Sequence, residues 1–316
     1  MDLLSNVLSG LQQESIVFCH AELTAPWGFA KAHLQGTPFH AVTAGCAWVK
    51  LSDEAQPRQL EAGDLIVLPQ GDAHLLLSEP QAKTISFTEL LADRGAKLWQ
   101  PGMRSAGPVH LTYGGGGALT TLVSGVFAFA DRRRNPLVAA LPGVIHIRGK
   151  EVPMPWLETT LRYLAEEAAS GQPGAAAVTA KLADILLIQA IRAHLSLHSG
   201  DTSGWLRGMT DPRIGRSIVL MHAEPATPWT VALLAKRIGI SRSSFAARFQ
   251  AFVGQGPIEY LTHWRMHEAA GLLTSGTQPL ADVAESVGYQ SEVAFSKAFK
   301  RWAGQSPTSY RASHNR

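Results

Sequence analysis

The apolar positions of this 316-residue chain change their period twice. Between residues 15 and 90 they come in short runs, SIVFCHAEL, FHAVTAGCAWVKL, DLIVLP and AHLLLS, broken by Gly, Pro, Asp and Ser. Runs this short, rich in branched and aromatic residues, predict strands, and a series of them predicts an all-β barrel or double-sheet roll. Residues 91–150 are expected to continue with loops and shorter strands. The stretch LTTLVSGVFAFA reads as a further pair of strands, Gly114–Gly117 as a flexible surface turn, and Arg132–Asn135 as a solvated loop. Leu137–Ile147 is expected to end the β domain, which gives it residues 1–150.

From residue 155 the period becomes helical. Trp156, Leu157, Leu161, Leu164 and Ala168 share one face; Gly171, Pro173 and Gly174 interrupt it; Val178, Leu182, Ile185, Leu186 and Ile191 resume it. The spacing predicts an antiparallel helical hairpin over 151–198. Its apolar area exceeds what one barrel face covers, so it is expected to support homodimerisation or to couple the two halves of the chain. Residues 199–210 are polar and contain Gly, and read as a linker. Residues 211–313 are helical throughout, opening with Asp211 as N-cap and Pro212 at the first helical position.

That last region holds one unit twice. Thr230–Tyr260 and Pro279–Tyr310 align: Ala235, Ile238 and Gly239 recur 49 positions on as Ala284, Val287 and Gly288. Phe245, Phe249, Gly254, Pro257 and Tyr260 recur 50 positions on as Phe295, Phe299, Gly304, Pro307 and Tyr310. The extra residue falls in the turn after the glycine, where a helix–turn–helix tolerates insertion. Val231, Leu234, Ala235 and Ile238 form the first buried stripe; Ser241 caps a second helix whose stripe is Phe245, Ala246, Phe249 and Phe252. The units span about 231–252 and 280–302, with a helix over roughly 257–273 between them. A rigid connector can present two recognition helices to successive major grooves, about 34 Å apart. An ordinary helical bundle would not require two such units in register.

Residues 211–311 resemble the DNA-binding domain of AraC-type bacterial transcription regulators. The signature runs in order through Ala284, Val287-Gly288-Tyr289, Ser291, Phe295, Phe299-Lys300, Gly304, Ser306-Pro307 and Tyr310-Arg311. The N-terminal half resembles a cupin: Gly63, Pro69, Gln70, Gly71 and His74 match the family's second motif, and His40 the first. Together with Ala25-Pro26-Trp27-Gly28 and the stretch from Asp211, the resemblance covers nearly the whole chain. It implies an α+β multidomain protein, with an N-terminal all-β cupin-like sensor barrel, a helical hairpin and a C-terminal all-α double helix–turn–helix domain.

Charge supports the division. Residues 211–316 hold 12 Lys/Arg against 7 Asp/Glu, whereas residues 1–210 hold 16 against 18. The positive excess lies where phosphate contact requires it. No apolar run reaches the ~20 residues of a membrane helix. The opening MDLLSNVLSGLQQES lacks a basic segment and does not read as a signal peptide, so the expected location is the bacterial cytoplasm, at the nucleoid. Two cysteines, Cys19 and Cys46, exclude a disulfide framework. They are expected as core residues, with a thiol sensor as the other reading.

Side chains near the start of each second helix are expected to meet bases. In the first unit these are Arg242, Ser243, Ala246 and Ala247; in the second, Gln290, Glu292, Val293, Ala294 and Lys297. Arg248, Lys300 and Arg301 are expected on phosphates. No cofactor is required. A metal cupin needs three or four protein ligands, and only His40 and His74 match, with Val42 where the second histidine of the first motif would stand. His20, His33 or Cys46 would have to complete such a site. The function expected is therefore a sequence-specific regulator, not an enzyme, controlled by a small organic ligand, a metal or thiol oxidation. Its expected partners are promoter double-stranded DNA, a second copy of itself and, for an activator, RNA polymerase. The alternative is a metal-dependent cupin enzyme fused to a DNA-binding domain.

Overall fold

Residue-level placement in the computed structural model covers 13–100, 103, 107–129, 136–150, 155–197, 204–208 and 211–314. The N-terminal segment and Arg132–Asn135, for which a solvated loop was expected, lie outside the described residues. The chain forms two compact units, one built from Gln13–Arg132 and Pro142–Leu197, the other from Arg133–Leu141 and His198–Arg316.

The first unit is two facing sheets and a helical hairpin. Its strands are β1 (Gln13–Thr24), β2 (Gly28–Lys31), β3 (Thr37–Ala44), β4 (Cys46–Leu51), β5 (Arg58–Glu61), β6 (Leu65–Val67), β7 (His74–Leu77), β8 (Ile85–Ser86), β9 (Val109–Gly114), β10 (Leu119–Phe129) and β11 (Ile145–Ile147). One sheet has the order β11-β6-β3-β10-β1-β9 and the other β5-β4-β7-β2-β8. Pairing is antiparallel except at β1–β9 and β2–β8. Alternate residues of both sheets, among them Leu23, Phe29, Val49, Leu60, Ile66 and Leu122, fill the space between them. A register shift between Val17 and Cys19 leaves Phe18 as a bulge in β1; bulges re-aim a side chain, and Phe18 lines the cavity described below.

The pair of strands expected in the 111–130 region is β9 and β10, and residues 119–129 form one long strand because both its neighbours in the sheet, β1 and β3, pair along it. The glycine run is the exposed surface turn expected, joining β9 to β10, and it is tied to the β1–β2 turn by hydrogen bonds. Gly115 and Gly117 donate backbone hydrogen bonds to Thr24 O and Ala25 O, both at 2.8 Å, and Gly116 donates to Thr24 Oγ1 at 2.9 Å. The region 87–147 also holds helices: α1 (Phe87–Asp93), capped by Ser86 Oγ, and α2 (Pro136–Ala140). Only Ile145–Ile147 of the stretch from Leu137 is strand. The hairpin helices are α3 (Pro155–Ser170) and α4 (Ala175–Leu197), and both pack on β1 and β10.

The second unit contains α2 and the helices α5 (Gly204–Gly208), α6 (Pro212–Ala223), α7 (Val231–Ile238), α8 (Arg242–Val253), α9 (Pro257–Ser275), α10 (Leu280–Ser286), α11 (Glu292–Ala303) and α12 (Pro307–His314). Helix α5 lies inside the expected linker. Trp205 and Leu206 are buried there, and α5 packs against α2, α6 and α8. Burial of two large apolar side chains outweighs the polar, glycine-bearing composition of the flanks. The same contacts bring α2 into this unit.

Candidate functional site

The repeat read from the sequence returns as a repeat of hydrogen bonds. Thr230 Oγ1 accepts from Leu233 N at 3.1 Å and starts α7. Gly239, at φ +74°, ends it. Ile240 N then donates to Ala235 O, as Tyr289 N does to Ala284 O in the second unit. Ser241 Oγ accepts from Ser244 N at 3.2 Å and Ser291 Oγ from Ala294 N at 3.4 Å, opening α8 and α11. Gly254 N and Gly304 N close them on Gln250 O and Lys300 O. The inserted residue is Gln290, in the turn between Tyr289 and Ser291.

Both units share one support, the connecting helix α9. Met266, Ala269 and Leu273 pack with Val283, Phe295, Phe299 and Tyr310. On its other side His222 of α6 stacks on Trp264, ring centroids 3.6 Å apart and nearly parallel, and shares a 2.7 Å hydrogen bond with Tyr260. Arg265 was not singled out from the sequence. Its Nε donates to Pro225 O at 2.7 Å and its Nη2 to Thr227 O at 2.8 Å, just before α7. A Cβ on Gly288 would lie 2.8 Å from both Arg265 Nη2 and Ala226 O. The turn of the second unit therefore closes on the loop that leads into the first. An arginine inside a helix carries no sequence signal for that role.

On α8, Arg242, Ser243 and Ala247 are exposed and Ala246 is half-buried, while Phe245 and Phe249 are fully buried behind them. On α11, Glu292, Val293, Ala294 and Lys297 are exposed in front of Phe295 and Phe299, and Gln290 is exposed just before them. Val293 is 64% exposed, the highest value among the large apolar side chains described. An apolar side chain held out at the start of such a helix suits a thymine methyl. Lys300 and Arg301 lie exposed in the last turn. Arg248, expected on a phosphate, is half-exposed and paired within the domain. Its guanidinium is committed to Asp211 Oδ2, with Nε at 2.5 Å, while Asp211 Oδ1 caps α6 through Arg213 N and Ile214 N. The pair ties α8 to the start of α6.

In the first unit, a cavity of about 20 Å³ is lined by Phe18, Lys31, Leu34, His40, His74 and Phe87, among others. The expected histidine pair is there: His40 Nε2 and His74 Nε2 stand 2.8 Å apart. Burial depresses both rings, His74 to about 4, with Lys31 as the second cause. They are neutral at pH 7, and one proton arrangement satisfies every bond. Ser124 Oγ donates to His40 Nδ1, His40 Nε2–H donates to His74 Nε2, and His74 Nδ1–H donates to Asp72 O. A cupin metal does not fit this pair. Val42 is buried in the core, His20 stacks on His110 instead, and His33 and Cys46 are exposed. Among the described residues no third His, Cys, Asp or Glu joins His40 and His74. Lys31 adds a nearby positive charge: its Nζ lies 3.7 Å from the Phe87 ring centroid, and burial lowers it to about 8. It was missed because a single lysine ending a strand looks solvated. Burial pushes the Cys19 thiol up to about 11, which disfavours the reactive thiolate; Cys46 is exposed.

Comparison with known proteins assigns this pairing of units. Residues 2–196 match the family described as Cupin, and residues 234–313 match the family described as Helix-turn-helix domain. An AraC-like transcription regulator of Streptomyces antibioticus is 35% identical over 314 residues, covering 98% of each chain. The chain belongs to the AraC-like transcription regulators. The HTH-type transcriptional regulator AlkR of Acinetobacter baylyi is 30% identical, covering 98% of this regulator and 99% of its own length. Among solved structures, the DNA-binding domain of AdpA, crystallised with a target DNA, is 31% identical over 33% of this regulator and 92% of that chain, at a TM-score of 0.31. This regulator thus joins a DNA-binding helix–turn–helix domain to a cupin domain, and its relatives are named as regulators. Among its described residues no helix is long and apolar enough to cross a membrane.

Proposed function

We propose that this regulator is a cytoplasmic, non-enzymatic DNA reader whose α8 and α11 enter successive major grooves of promoter DNA. The observation that carries the reading is the paired set of exposed N-terminal residues on α8 and α11, fixed to one connecting helix by the Arg265 contacts. Lys297 reads guanine, Glu292 accepts from cytosine N4, and Val293 meets a thymine methyl. Helix α8, with Ala246 and Ala247 where long polar side chains could stand, contributes fewer base contacts. Arg242 reads a base from α8, and Lys300 and Arg301 supply the phosphate attraction. Selection of binding sites from random duplexes tests this. Lys297→Ala is expected to relax specificity at one or two base pairs by about 1–3 kcal/mol. An unchanged binding-site profile would sink the assignment.

Two further parts complete the reading. Tyr163, Val178 and Ile185 remain exposed on α3 and α4 after the hairpin packs on the sheet, which supports a homodimer through that face; a monomeric sedimentation profile would count against it. As an activator, the dimer would also contact RNA polymerase. The signal enters at the barrel cavity, where Lys31, Thr88 and the histidine pair are the polar groups. At about 20 Å³ the cavity admits one water, so an organic effector has to part Phe18 and Phe87.

A further inference from the structure

One cluster of titratable side chains has no place in this reading. Cys19, Ala21 and Leu23 of β1 point into the barrel core, so strand alternation turns His20 and Glu22 to the opposite face. β9 is the edge strand and runs parallel to β1, with His110 directly opposite His20. Leu111 points into the core, so His110 shares the outer face with His20 and Glu22. His20 Nδ1 and His110 Nδ1 are 3.2 Å apart, and His110 Nε2 lies 4.0 Å from Glu22 Oε2. One ligand atom from each of the three residues falls within 4.8 Å of the other two. His20 is buried, whereas Glu22 and His110 are exposed, so the cluster has a fixed floor and an open side.

We propose that His20, Glu22 and His110 form a binding site for a divalent transition-metal ion of the zinc type. Two imidazole nitrogens bound to one tetrahedral Zn²⁺, each 2.0–2.1 Å from the metal, are held about 3.3 Å apart. The facing Nδ1 atoms, at 3.2 Å, already stand at that separation. Two histidines and a glutamate are a donor set used for zinc with the fourth position left to water. Glu22 is an exposed side chain free to swing the remaining distance. The ion would clamp the edge strand β9 to β1, the strand on which α3 and α4 pack. Metal occupancy is thereby placed to stiffen the sheet that carries the hairpin. The site lies on the opposite face of the barrel wall from the histidine pair of the cavity.

The test is titration of the full chain with Zn²⁺ alone against a chromophoric chelator, followed by thermal unfolding with and without the ion. Wild type is expected to take up one equivalent and to unfold at a higher temperature when loaded. His110→Ala and Glu22→Gln are expected to weaken uptake by more than the roughly 10–100-fold that loss of an outer-shell partner costs, and to lose the thermal shift. Cys46→Ser is expected to behave as wild type. Glu22→Gln removes one exposed charge and keeps the fold, so it decides the matter if His110→Ala is unstable. No stoichiometric uptake by wild type overturns the proposal. So does uptake that survives both variants, or uptake lost in His74→Ala and kept in His110→Ala.

Discussion

Phe299→Ala is expected to destabilise the second unit by about 3–5 kcal/mol and to abolish DNA binding near 37 °C. Phe299 is fully buried at the centre of a ring cluster. Phe295, Trp302 and Tyr310 lie 5.7, 5.6 and 5.3 Å away, the last edge-on. Truncation removes the ring, its edge-to-face partner and the surface against which α9 and α10 close. A typical domain is stable by only about 5–15 kcal/mol, so the loss is a large part of the total. Because α11 is positioned by this core, its exposed Glu292, Val293 and Lys297 lose their shared orientation as well. Denaturant unfolding with a matched m-value measures the loss, and a change below about 1 kcal/mol would show that Phe299 is not the keystone of the unit.

Acidification to pH 5 is expected to cost about 2 kcal/mol through one residue, His222. The ring is 8% exposed, and burial, helped by His267, pushes it down from 6.5 to about 3. In the unfolded chain His222 takes up a proton below pH 6.5; in the folded chain it does not until about pH 3. The unfolded state therefore binds more protons in that window, and stability falls as pH falls through it. The loss reaches the order of 4–5 kcal/mol by pH 3. Its partner acts at the other end. Burial raises Tyr260 well above its ordinary value, so the unfolded chain alone ionises it above pH 10, and stability falls again there. The check is urea unfolding of the full chain at pH 7 and pH 5 beside His222→Gln. The variant is expected to be less stable at pH 7 but to lose about 2 kcal/mol less on acidification. His40, His74 and His20 remain in both proteins, so their contributions cancel in the comparison. An identical pH slope in the two would refute the role of His222.

The largest share of the fold was written in local pattern. Caps, glycine stops and phenylalanine stripes of α7, α8, α10 and α11 depend on residues within a turn or two of each other, so their spacing was enough to find both units and the exposed side chains before them. The same holds for His74, whose turn and strand are contiguous. Less was legible where distant chain decided the outcome. Gly114–Gly117 has the composition of a loose turn, but Thr24 and Ala25, some 90 residues earlier, supply its hydrogen-bond partners. Residues 204–208 have the flanks of a linker, but α2, α6 and α8 provide surfaces on which Trp205 and Leu206 are buried. The pairing of Arg248 with Asp211, 37 residues earlier, was likewise not legible from the sequence.

By itself, then, the sequence determined that two helix–turn–helix units sit on one connecting helix behind a β-rich sensor, because periodicity and capping are local physics. Only the tertiary structure decided what the polar side chains do. Lys31 over Phe87, the closed proton chain of His40 and His74, the pairing of His20 with His110 across β1 and β9, and the Arg265 clasp on the loop before α7 all join residues far apart in the chain. Such contacts follow from sheet register and helix packing, which single-residue chemistry and spacing do not encode.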